Sequence, residues 1–100
     1  CGGAQLAVTD VHAFRPLLAG LAVLAACVRL HPDDFALRTE AYEFVHDRLA
    51  LDLLLGDPSL RRGLLDGASP IDLADSMRPA TADFVRAREP HLLYPGPATV

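Results

Sequence analysis

The sequence predicts an α+β fold, mostly helical with a few short strands, forming one domain that is part of a larger protein. Three observations carry this. Prolines at 16, 58 and 70 and glycines at 56 and 67 fall where helices start and stop. Two runs, Gln5–Val8 and Ala41–Val45, are short and carry β-branched or aromatic residues that suit a strand. The first long helix, from Pro16, is apolar on every side, and such a helix needs neighbours all round it. It follows Cys1-Gly2-Gly3-Ala4 almost at once, with no initiator Met, so the chain is expected to be a piece of something larger.

Taken in order, Gln5 to Val8 is the expected first strand, set off by Gly2-Gly3. Pro16 sits in the first helical turn, where its missing N–H costs nothing, and the helix runs to about Leu30 before His31-Pro32 stops it. Leu17, Leu21, Leu24 and Val28 line one side, and Leu18, Ala22 and Ala25 the next. Asp33 to Arg38 is a loop or short strand, and Ala41 to Val45 is the second strand. Leu49 to Leu55 forms a short apolar helix ended by Gly56. Asp57-Pro58 then caps and opens another helix through Leu60, Leu64 and Leu65, closed by Gly67. Ser69-Pro70 repeats the start signal for a last helix whose apolar face is Leu73, Met77, Ala80, Phe84 and Ala87. Pro79 kinks it, since an interior proline costs about 3 kcal/mol. The domain is expected over residues 1–94, with 95–100 a flexible tail.

One hundred residues allow a single core, and a hydrophobic content of 51% is high for so short a chain. The net charge of −4 and the absence of any basic stripe exclude a nucleic-acid partner. All nine basic residues are Arg, which reflects coding bias and carries no mechanism. Cys1 and Cys27 allow at most one bridge and have no metal or redox spacing. The run Leu17–Val28 is too short to span a membrane, which takes about 20 apolar residues. Leu24-Ala25-Ala26-Cys27 looks like a lipoprotein cleavage box, but Asp10 and Pro16 precede it where a charged leader would stand, so a buried helix is the better reading. The four His lack ligand spacing, and no phosphate loop, G-x-S-x-G or G-x-G-x-x-G is present, so neither metal nor cofactor is expected.

Spaced residues carry a resemblance. Cys1-x-Gly3, Val8-Thr9-Asp10, Phe14-x-Pro16, Pro32-x-x-Phe35, Tyr42-Glu43-Phe44, Asp52-Leu53-Leu54-x-Gly56, Gly67, Phe84, Arg88 and Leu92-Leu93-Tyr94 follow one another in order over nearly the whole chain. Together they resemble the C-terminal domain of the exo-β-N-acetylmuramidase family of glycoside hydrolases, formerly catalogued as a domain of unknown function. Met77 stands where many members carry Trp, a departure that touches packing. The resemblance implies a parent with an N-terminal Rossmann-like domain and a smaller C-terminal α+β domain. That parent removes terminal N-acetylmuramic acid from peptidoglycan fragments, in an extracytoplasmic setting. The catalytic acid is implied to lie in the N-terminal domain, leaving this chain to pack against that domain and to supply one wall of the cleft. The implied partners are a muropeptide or disaccharide and the chain's own N-terminal domain.

Within that frame Asp10, Arg15, Tyr42 and Glu43 are the candidate substrate contacts, each with a plainer alternative. Asp10 accepts from sugar hydroxyls or caps the first helix. Arg15 faces the lactyl carboxylate of muramic acid, a pairing that suits a guanidinium fork, or pairs with Asp10. Tyr42 stacks on a sugar ring or packs as a half-buried sheet residue. Glu43 with Asp47 or Asp52 has the composition of a glycosidase carboxyl pair, but neighbouring acids in a helical stretch more often form a solvated face. The competing function is a non-catalytic cell-wall-binding or protein-interaction module with an exposed apolar face.

Overall fold

The computed structural model describes residues 2–94. The element order is α1 (Pro16–Leu30), α2 (Ala50–Leu55), α3 (Pro58–Leu65), α4 (Pro70–Ser76) and α5 (Arg78–Arg88), followed by a 3-10 turn (Glu89–His91). The local signals place these elements well. Asp57 Oδ1 accepts the Ser59 N–H at 2.7 Å at the start of α3, and Ser69 Oγ accepts that of Ile71 at 3.3 Å at the start of α4. Gly56 ends α2 in the left-handed region at φ 77°, which a residue without Cβ adopts freely.

The core is small and lies where α1, α3 and α4 meet. Leu21 of α1, Leu60 and Leu64 of α3, and Leu73 and Ala74 of α4 are buried, flanked by half-buried Leu18, Leu24, Ala25 and Val28 from α1 and Leu55 from α2. Leu60 and Leu64 stand four residues apart and so share one helix face. Gly63 lets α3 and α4 approach: a Cβ built there would stand 2.5 Å from Leu73 Cδ2.

The expected strands are not formed among the described residues, so the domain is helical. Residues 2–10 run as irregular, exposed backbone, with Leu6 72% exposed, because no second strand lies alongside to complete a ladder. Ala41–Val45 is a turn closed by one antiparallel bridge, Tyr42 N–H to Val45 O at 3.2 Å and the reverse at 3.1 Å. The last helix is also divided. Met77 ends α4 and precedes α5, and Pro79 takes an N-terminal position in α5, where its missing N–H needs no partner. No residue of α5 is buried, and Phe84, expected on a core face, is 63% exposed. The expected tail at 95–100 lies outside the described residues.

The radius of gyration is 16.0 Å, against about 13 Å for a compact chain of this length. The arm before α1, the segment between α1 and α2, and α5 all leave large apolar side chains open. No helix among the described residues is long and apolar enough to cross a membrane.

Candidate functional site

A groove of about 960 Å³ separates the start of α1 from α5. It exists because α5 packs on the end of α4 and on the 3-10 turn without reaching α1. Phe14, Leu17, Leu18, Met77 and Val85 give it an apolar lining. Its polar lining comes from Arg15, Arg78, Thr81 and Arg86, and no Asp or Glu lines it. The charged groups in the lining are thus all cationic, with their aspartate partners set outside it.

Each guanidinium is placed by its element. Arg15 is the extended residue before Pro16 (φ −109°, ψ 93°). Its Nη2 donates to Asp75 Oδ1 at 2.8 Å. Arg78 opens α5, and its Nε donates to the same oxygen at 3.0 Å. Asp75 is half-buried on α4 and does not line the groove, and the hydrogen bond from Arg15, then that from Arg78, holds its carboxyl below the usual aspartate range. Arg86 pairs with Asp83 one turn back, and the Thr81 hydroxyl donates to the Met77 carbonyl at 2.9 Å.

Of the four residues singled out by sequence, only Arg15 lines this groove. Its partner is Asp75 and not Asp10. Asp10 Oδ1 accepts the backbone N–H groups of His12 at 2.9 Å and Ala13 at 3.1 Å, so it caps the turn before α1 and not the helix itself. Tyr42 is half-buried at the bridge, and Glu43 is exposed in the turn at φ 53°, a conformation side chains seldom adopt. Among the other acids, Asp47 lies 3.9 Å from Arg48, and Asp52 accepts from Arg61 Nε at 2.6 Å, tying α2 to α3. The sequence reading missed Arg78 and Asp75. Their three-residue spacing was a usable signal. The meeting of Arg15 with Asp75, sixty residues on, left none.

Residues 1–94 match the family described as exo-beta-N-acetylmuramidase NamZ, C-terminal. The chain is also similar to the peptidoglycan beta-N-acetylmuramidase NamZ of Bacillus subtilis (strain 168), 30% identical over 94 residues. That match takes in 94% of this chain and 21% of the relative, so the chain spans about a fifth of the length of the curated relative it matches. No solved structure matches.

Proposed function

The chain belongs to the NamZ C-terminal family of exo-beta-N-acetylmuramidases, and from that premise we propose that it is the C-terminal part of an enzyme removing terminal N-acetylmuramic acid from peptidoglycan fragments. In this reading it packs against an N-terminal domain of its own parent protein and supplies one wall of the substrate cleft. The parent works outside the cytoplasm, and its catalytic acid lies in the N-terminal domain.

The observation that carries the reading is the groove: an apolar lining with Arg15 at its edge and no acidic residue in the wall. Muramic acid differs from its amino-sugar neighbour by a lactyl ether, which presents a carboxylate beside a methyl group. A guanidinium over an apolar floor is complementary to that pair. Asp10, Tyr42 and Glu43 are the further proposed contacts, lying outside the groove. Asp10 has both its recorded bonds on Oδ1, leaving Oδ2 for a sugar hydroxyl.

Domain packing has its own support. Phe84, Leu92, Leu93 and Tyr94 are each exposed toward the end of the described chain. Arg88 Nε is enclosed without a hydrogen-bond partner among the described residues, which an acceptor on a neighbouring domain would satisfy. The same exposed surface favours the second reading, a non-catalytic cell-wall-binding or interaction module.

The test is release of N-acetylmuramic acid from a terminal muramyl disaccharide by the full gene product. Activity that falls on Arg15→Ala, with helical content unchanged, supports a cleft wall. The isolated chain is expected to release none. Turnover by the isolated chain overturns the placement of the catalytic acid, and tight binding to intact peptidoglycan without hydrolysis by the full product favours the second reading.

A further inference from the structure

We propose that Arg15 and Arg78 form a two-guanidinium clamp for the carboxylate of the bound sugar, with Asp75 as the residue that positions both. The inference rests on the muramidase reading and adds to it the second cation and the support behind it.

Asp75 Oδ1 accepts one N–H from each arginine, Nη2 of Arg15 at 2.8 Å and Nε of Arg78 at 3.0 Å. A guanidinium has five N–H donors in a rigid plane, so one donor spent on Asp75 leaves four. Both side chains line the groove, whereas Asp75 does not. The carboxylate therefore holds the two cations without itself lining the groove.

The two arginines come from different elements, one preceding α1 and the other opening α5. They converge on Asp75 Oδ1 and both line the groove, so an anion entering it can take a donor from each. Arg86 adds a third cation farther along α5, but Asp83 holds it locally within the same helix. The lining between the cations is apolar, with Leu17, Leu18 and Met77 nearest in sequence to the clamp. An inorganic anion makes no use of such a floor. A carboxylate carried on a short alkyl ether, as in muramic acid, fills both parts.

Asp75 has a second consequence. Held as the anion by its two arginines, it keeps a pair of like charges close together in the free protein. Replacing it by Asn keeps an acceptor oxygen but removes the negative charge that offsets the two arginines, which weakens both bonds and lets the like charges part.

The experiment uses the full gene product and two probes, a methyl glycoside of N-acetylmuramic acid and the same compound with its lactyl carboxyl esterified. Titration calorimetry gives the affinities, and hydrolysis of a muramyl disaccharide gives KM and kcat. Arg78→Gln is expected to weaken the carboxylate probe about tenfold or more, in the range of a lost charge-assisted hydrogen bond, while leaving the ester probe within about twofold. KM rises and kcat holds. Arg78→Lys recovers part of the affinity, and Asp75→Asn weakens the carboxylate probe without changing helical content.

Equal weakening of both probes by Arg78→Gln overturns the clamp, as does no change in either. If the wild-type product hydrolyses the disaccharide while Arg15→Gln, Arg78→Gln and Asp75→Asn leave KM unchanged, the clamp fails and the muramidase reading stands. If the wild-type product neither binds nor hydrolyses a muramic sugar, both fail together.

Discussion

Helices α3 and α5 begin alike and end in opposite environments. Each has a proline in its first turn, each carries arginines, and α5 is the longer. Yet α3 holds two of the three most completely buried side chains of the described chain, and α5 buries none. The difference lies in what stands beside them. Leucines four apart on α3 meet α1 on one side and α4 on the other, so both are closed off. The stripe of α5 is mostly alanine, and its one large member, Phe84, faces open space. A start signal sets where a helix begins, whereas burial requires a second and third element at the right distance.

The largest expected effect breaks this comparison at its strong end. Leu64→Ala leaves a cavity among α1, α3 and α4, and such truncations cost about 2–5 kcal/mol. A core of five buried residues has little reserve, so thermal melting followed by far-ultraviolet circular dichroism is expected to show a non-cooperative, largely unfolded chain. The matched change on the other helix, Phe84→Ala, is expected to stay within about 0.5 kcal/mol in the isolated chain. Equal losses would mean that α5 is packed after all.

A smaller effect probes the contact that makes α3 a core helix. Gly63→Val places a branched side chain against Leu73, where even a Cβ comes within 2.5 Å of Cδ2. Overpacking of this kind costs about 1–3 kcal/mol. Chemical denaturation gives the measure, and a midpoint unchanged from the parent chain would show that α4 can withdraw freely.

What the sequence made legible follows the same division. Proline starts, the Asp57 and Ser69 caps and the stop at Gly56 depend on a few adjacent residues, and all appear where expected. The strands were misread because strand formation depends on a partner that adjacent residues do not reveal. Gln5–Val8 has strand-like composition and nothing beside it, and Ala41–Val45 closes on itself as a turn. Pro79 was read as a kink because an apolar stripe continued past it, but the stripe is uncovered on the α5 side and does not hold the two segments as one helix. Arg15 was legible by type and position. Its partner was not, since Asp75 is brought to it by the packing of α1 on α4.

The smallest expected effect concerns a link that ties α5 back toward α1. Asp75 binds Arg15 before α1 and Arg78 at the start of α5, and its carboxyl is held below the ordinary aspartate range by these bonds. A carboxylate with a depressed folded-state pKa contributes stability that is fully present above its unfolded value. That contribution disappears as the pH falls through the folded value. Melting temperatures taken from pH about 6 down to about 2.5 are therefore expected to fall more steeply for the parent chain than for Asp75→Asn, the two converging at the acid end. Asp75 is only half-buried and Arg78 is more exposed still, so the difference near neutrality is small and shrinks further in salt. The cores are the same in both chains, so the difference between the curves reports the Asp75 link alone. Parallel curves would mean that α5 is set by the Met77–Pro79 backbone, leaving the two arginines free to turn toward an anion without help.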